Sequence, residues 1–267
     1  QQVPARDPEL GPMIRSLFLP EEDCEWVCAD YSQQEPRVLV HYASIKDMDT
    51  AIKVQDEFNK NEDTDFHQMV ADMASIPRKQ AKTINLGLFY GMGNKKLAAE
   101  LGLDSDQAYE LFNKYHDKVP FVKELSRQVS HVASTRGYIK TLLGRKRRFD
   151  MWEPRDSWGE RAYSLSEAHA QYPKQELKRA YTHTAMNALI QGSSADITKA
   201  AMVKIYEAGL LDEIDLKLTV HDELDFSVEP LKQKCFDESL QIMKTCVDLK
   251  VPLKVDVEKG LNWGTIE

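Results

Sequence analysis

The chain has 267 residues, 42% of them hydrophobic and 29% charged, and a formal net charge of −8 at pH 7. That is enough for one large domain or two lobes sharing a core, without the bias of disorder or low complexity. No apolar run approaches the roughly 18–20 residues that span a bilayer, no signal-peptide pattern opens the chain, and the acidic balance argues against coating nucleic acid by bulk charge.

A soluble intracellular protein is expected, and a start at Gln1 rather than Met predicts that the chain begins inside a longer product. Cys24, Cys28, Cys235 and Cys246 form no close Cys-x-x-Cys pair. They read as thiols in a reducing compartment, with a structural zinc site disfavoured.

In chain order, residues 23–31 read as a strand that enters an acidic turn at Asp30. A helix follows through Arg37 and Tyr42, with Pro36 in its first turn, where a missing N–H does no harm. Residues 46–74 look helical and polar, with Thr64 or Asp65 as a cap before Phe66-His67-Gln68-Met69-Val70. Pro77 precedes a cationic helix over about 79–90, closed by Gly91 and Gly93. Helices are expected over 94–101, 105–116 and 120–135, then a short hairpin from Gly137 to Arg145. Residues 150–178 carry no clear period and read as a surface insertion. A helix over 179–208, a hairpin over 216–228, a helix over 231–248 and a strand over 253–257 complete the chain. The fold class is α+β, a sheet-bearing body with a helical lobe inserted.

Two acidic clusters sit at expected strand ends, Asp30 after Trp26-Val27-Cys28 and Asp222-Glu223 at the tip of the later hairpin. Either alone is equally well a helix cap or an ordinary polar turn. Between them, Arg78, Lys82, Leu86 and Tyr90 recur every four residues, along a rod roughly 18 Å long at about 1.5 Å per residue. One helix side thus offers two cations, an apolar residue and an aromatic, the order in which a nucleotide presents phosphates, sugar and base. Paired carboxylates can hold hard divalent cations, and a helix N-terminus favours phosphate. The combination suits metal-assisted phosphoryl transfer. Two basic tracks, Lys95-Lys96 with the helix cations and Arg136, Lys140 and Arg145 to Arg148, could neutralise backbone phosphates.

These segments resemble a known family. Asp30-Tyr31-Ser32-Gln33-Gln34-Glu35-Pro36-Arg37, Arg78…Lys82…Ile84-Asn85…Tyr90-Gly91 and Val220-His221-Asp222-Glu223 are similar to motifs A, B and C of family A DNA polymerases. Gly137-Tyr138…Thr141…Gly144-Arg145, Asn187…Gln191-Gly192-Ser193-Ser194-Ala195-Asp196 and the closing Val251-Pro252…Asn262-Trp263 resemble further blocks, in order over nearly the whole chain. His183 before Asn187 resembles the phage branch.

The resemblance implies a right-hand polymerase palm with an antiparallel sheet and an inserted helical fingers lobe. The palm would be 1–44 and 136–267 and the fingers 45–135, with thumb and exonuclease absent. It implies DNA-directed DNA synthesis with two Mg²⁺ ions, Mn²⁺ able to substitute, held by Asp30, the Tyr31 carbonyl and Asp222, with Glu223 in support. Lys82 would be the general acid for pyrophosphate. Arg78, Lys82, His67, Arg6 and Gln33 would meet the nucleotide with Leu86 and Tyr90, and Glu35 would exclude a 2′-OH. Arg37, Arg145, Asn187, Gln191 and His221 would contact the duplex. Primer-template DNA and deoxynucleoside triphosphates are the implied partners, with an upstream thumb or exonuclease segment or a processivity factor as a further one. The location would be the cytoplasm of a bacterium or phage-infected host.

Departures from the family pattern have consequences. Leu86 stands where an aromatic is usual, so sugar packing is expected to weaken and dideoxynucleotides to be disfavoured. Leu86→Tyr should raise the dideoxy-to-deoxy incorporation ratio; an unchanged ratio sinks this reading. Gln34 and Pro36 replace apolar residues, which alters the floor under Glu35. The rival readings are a non-catalytic DNA-binding fragment, a single-subunit RNA polymerase and a two-metal nuclease. Retention of Asp30, Asp222 and Lys82 speaks against the first and the carboxylates of Glu35 and Glu223 against the second. A nuclease would not need the nucleotide-ordered helix face.

Overall fold

The computed structural model describes residues 7–89, 92–156 and 160–266, the side chains of Leu88 and Phe89 excepted. Arg6, Tyr90 and Gly91, all singled out above, lie outside the described residues. In chain order the elements are α1 (Leu10–Arg15), β1 (Glu25–Tyr31), α2 (Gln34–Ser44), α3 (Asp49–Lys60), α4 (Phe66–Ala74), α5 (Arg78–Phe89), α6 (Asn94–Leu101), α7 (Ser105–Lys118) and α8 (Pro120–Arg136). Then come β2 (Tyr138–Lys140), β3 (Lys146–Arg148), β4 (Met151–Pro154), β5 (Tyr163–Ser164), α9 (Leu165–Gln171), β6 (Leu177–Arg179) and α10 (Ala185–Glu207). The chain closes with β7 (Asp215–Val220), β8 (Glu223–Val228), α11 (Gln233–Thr245) and β9 (Val255–Gly260). Among the described residues no helix is long and apolar enough to cross a membrane.

The helix ends follow local chemistry. Asp65 caps α4 by accepting from the amides of His67 and Gln68, and Asp104 forms a reciprocal capping box with Gln107 at the start of α7. Gly102 and Gly137 end α6 and α8 in the left-handed region.

Two expectations are corrected. Residues 150–178 are not an irregular insertion throughout. They supply a three-stranded sheet in the order β5-β4-β6, and the Arg179 guanidinium sits 4.5 Å from the Trp152 ring centre. The long helix starts at Ala185 rather than 179, because Arg179 belongs to β6 and Tyr181 has a φ of 61° that no right-handed helix accommodates.

Two units emerge, one of residues 1–38, 58–63 and 194–267 and the other of 39–57 and 64–193. In the first, β7-β8-β1-β9 form an antiparallel sheet. Side chains alternate across it. One face carries Val27, Ala29, Tyr31, Leu224, Phe226 and Val228, all buried. Phe226 meets Phe236 of α11 edge to face at 5.6 Å, and the Tyr31 hydroxyl donates to the Met243 carbonyl at 2.8 Å. Leu224 and Phe226 together bury enough apolar surface for roughly 3–6 kcal/mol of transfer free energy.

In the second unit, α4–α8 pack as a helical body that also carries the β2–β3 hairpin and the β5-β4-β6 sheet; the segment 136–193 falls here. The tip of the hairpin is fixed to α10. The Leu142 amide donates to Ser193 Oγ at 3.0 Å, and Arg145 Nη2 donates to the Gly192 carbonyl at 2.7 Å. Gly192 is needed there, since a Cβ would come within 2.6 Å of Thr141 Cγ2.

Candidate active site

The opposite face of the sheet explains the acidic clusters. Register sets Asp30 of β1 across from Glu223 of β8 on one side and Asp256 of β9 on the other, with Cys28 across from Asp225 and Glu258 one step along. Five carboxylates therefore share one face of three neighbouring strands. Asp222 joins them from the two-residue turn between β7 and β8. His221 before it takes a φ of 56°, a region non-glycine residues seldom occupy, and the Tyr31 amide donates to the Asp222 carbonyl at 3.3 Å. The turn is thus tied to the end of β1 and brings Asp30 and Asp222 together.

Burial, with crowding at Asp30 and Glu223, raises the proton affinity of Asp30, Asp222, Glu223 and Asp225. Burial, then Asp222, Glu223, Asp256 and Glu258, push the Asp30 carboxyl up to about 7. Burial also raises Asp222, with the nearby His221 working the other way. Burial raises both Glu223 and Asp225; Asp225 pushes Glu223 up further, while hydrogen bonding from Cys28, Glu223 and Trp26 works against the rise at Asp225. Asp225 is fully buried, and among the described residues neither of its oxygens nor the buried Glu223 Oε1 meets a partner in good hydrogen-bond geometry. The raised proton affinity of both carboxyls, with the Cys28 thiol kept neutral by burial, lowers the cost of burying this cluster.

Ligand atoms of Cys28, Glu223 and Asp225 also lie within 4.8 Å of one another. The hard oxygen donors of Asp30, Asp222 and the Tyr31 carbonyl suit Mg²⁺ or Mn²⁺ better than the thiol-containing trio does. A concentration of like charge that divalent cations would neutralise is the feature that fits such ions.

The sign of the pH dependence follows. Asp30 titrates at about 7 when folded against an ordinary 3.8, so between those values the folded chain holds more protons than the unfolded one. Stability without metal should therefore fall as pH rises from about 4 to about 7 and stay low above it. Thermal melts should show the metal-free chain more stable at about pH 5 than about pH 8, with added Mg²⁺ helping more at the higher pH. A metal-free melting point that climbs between those values would contradict the crowding.

Elsewhere in the sheet unit, Glu35 is half-buried in the first turn of α2, and Gln33 has a φ of 53° just before it. Arg37 requires correction. Expected at the duplex, it is fully buried and donates to the carbonyls of Ser32, Pro252 and Glu62 at 2.8, 2.6 and 2.6 Å. Its guanidinium lies 4.6 Å from the Phe58 ring centre, and burial lowers its pKa to about 10, still charged at neutral pH. Three of its five N–H donors hold the protein together, and its full burial keeps the guanidinium out of reach of a duplex.

In the helical unit, Lys82 is exposed and Leu86 half-buried on α5. Arg78 is anchored, its Nε and Nη2 reaching Asp65 Oδ2 at 2.7 and 2.6 Å. Burial works against it, but the Gln68 amide and Arg78 hold the Asp65 carboxyl below its usual range. His67 is buried against Asn85 of α5, and burial lowers its pKa to about 4, with the opposing pull of Asp65 outweighed together with Lys82 and Arg78. Arg145 and Gln191 are exposed and Asn187 is half-buried. Sequence reasoning missed Asp225, Asp256 and Glu258; only strand register could have gathered them.

A carboxylate-bearing antiparallel sheet and a helical unit with a cationic helix are the parts of a polymerase domain. The match to the family model for DNA polymerase family A runs over residues 1–265, and the chain belongs to that family. It is 41% identical over 305 aligned positions to a DNA-directed DNA polymerase of Pseudomonas phage M6, covering 99% of this chain and 42% of that protein. It is 33% identical to DNA polymerase I of Caldicellulosiruptor bescii, covering 98% of this chain and 29% of that protein. Among solved structures, the POL domain of Pol1 from M. smegmatis, in complex with DNA primer-template and dNTP, superposes with a TM-score of 0.79 at 31% identity, covering 98% of this chain and 44% of that one. The chain spans less than half the length of these relatives.

Proposed function

We propose that the chain carries the nucleotidyl-transfer chemistry of template-directed DNA synthesis, joining a deoxynucleotide to a primer 3′-OH. The observation that carries this is the convergence of Asp30 and Asp222 at a strand end and a tied turn, in a chain that matches DNA polymerase family A along its length. In this reading residues 1–44 and 136–267 are palm and residues 45–135, with α3–α8, belong to the fingers.

Asp30, Asp222 and the Tyr31 carbonyl would hold two divalent ions, with Glu223 in support. Such ions, when bound, lower the pKa of the attacking hydroxyl and neutralise charge on the phosphates. Arg78, kept in place by Asp65, grips the triphosphate together with His67, Gln33 and Arg6, and Lys82 gives a proton to departing pyrophosphate. Glu35 fills the space a 2′-OH would need, the group that separates ribonucleotides from deoxynucleotides. Leu86 packs on the sugar, and Tyr90 guards the geometry of the new pair. Arg145, Asn187, Gln191 and His221 contact the duplex, where minor-groove acceptors at N3 and O2 recur in every pair and report shape rather than sequence. Arg37 has no part in this list.

The test is single-nucleotide primer extension with Mg²⁺ at low salt, the purified chain beside Asp222→Ala. Extension by the parent alone supports the reading. Equal extension by both would remove Asp222 from the chemistry, and no extension by either would confine this chain to binding.

A further inference from the structure

His67 of α4, Asn85 of α5 and Tyr115 of α7 form a buried chain of hydrogen bonds in the helical unit. The Tyr115 hydroxyl lies 2.5 Å from Asn85 Oδ1, and Asn85 Nδ2 lies 3.0 Å from His67 Nδ1. Asn85 and Tyr115 are wholly buried and His67 nearly so. An amide can be turned over, and the direction of this chain depends on which way it faces. Tyr115 settles the matter. Among the described residues Asn85 is the hydroxyl's only partner, so the hydroxyl must donate to the amide oxygen or bury its own proton unsatisfied. With Oδ1 committed to Tyr115, the amide N–H faces His67, and Nδ1 can only accept.

The ring is therefore neutral and carries its proton on Nε2, which has no partner among the described residues. The charged groups that face it are Asp65, which also caps the His67 amide, and the cations Lys82 and Arg78 of α5. Two cations beside a neutral N–H donor make a place for an anionic oxygen, and burial with those cations disfavours a charged ring. We propose that Asn85 and Tyr115 are positioning residues that hold His67 in one orientation and one tautomer, with Nε2–H presented to an oxygen of the triphosphate. This rests on the reading of the cationic helix given above and adds to it the two residues that prepare the donor.

The test uses the whole chain and nitrogen-detected NMR of the histidine rings, with His67 assigned by its loss in His67→Gln. The expected spectrum has unprotonated Nδ1 and protonated Nε2 through the neutral range, and dATP with Mg²⁺ shifts the Nε2–H signal. Tyr115→Phe, close to isosteric, releases the amide, so a mixture of tautomers appears and dATP affinity falls about three- to tenfold, as loss of one hydrogen bond implies. Asn85→Asp offers only acceptors and should move the proton to Nδ1. A protonated Nδ1 in the parent, or an unchanged tautomer and affinity in Tyr115→Phe, overturns the proposal. The expected tautomer with a dATP-silent His67 would instead sink the triphosphate reading and leave the hydrogen-bond chain intact.

Discussion

Asp30→Asn and Asp222→Asn should each lower single-turnover nucleotide addition by about 10³-fold or more, on the order of 4 kcal/mol of transition-state stabilisation. In the proposed reading both carboxylates serve the same ions, so the double variant should be little worse than either single one. The two losses multiplying instead would mean separate tasks. The folded state should respond in the opposite direction. Each substitution removes a charge from a face where Asp30, Asp222, Glu223, Asp256 and Glu258 repel one another, so the metal-free variants should melt higher than the parent at about pH 8. Loss of activity with gain of stability is the pattern of a site strained for its chemistry. Loss of both would point to simple misfolding.

Arg37→Ala should be the most damaging substitution for stability, costing about 3–5 kcal/mol in urea denaturation. It strands three carbonyls, of Ser32, Pro252 and Glu62, that the guanidinium now satisfies from three parts of the sequence, and it removes the cation over Phe58. Domains of this kind are stable by only about 5–15 kcal/mol, so a large fraction of the margin would go. Arg37→Lys should rescue little, because an ammonium cannot reproduce the fixed planar fork. Weakened DNA binding with unchanged unfolding would restore Arg37 to the duplex and refute its structural role.

The helices α4 to α8 were legible because their ends are written in local residues. Asp65, Asp104 with Gln107, Pro120 and the glycines at 102 and 137 act within a turn of where they stand. The strands β4, β5 and β6 were not, since two to four residues show no period and their sheet depends on contacts such as Arg179 against Trp152. Asp30 and Asp222 stood out as acidic residues at strand ends. Their company did not: Asp225, Asp256 and Glu258 join them only through the register of β1 with β8 and β9. Arg37 was misjudged for a related reason. A cation beside a catalytic motif looks like a nucleic-acid contact until the carbonyls around it are known.

Among the described residues the sheet ends at β9, whose outer edge pairs with no further strand in the order β7-β8-β1-β9. An open edge is a template on which another chain can add a strand. Here it carries three charged residues, Asp256, Glu258 and Lys259, with Asp256 already bound to Lys254 at 2.7 Å. A strand of the same sequence laid alongside would set those charges into poor company and dehydrate them. The carboxylates that crowd Asp30 therefore also charge this rim of the sheet, which makes it a poor template for a strand of like sequence.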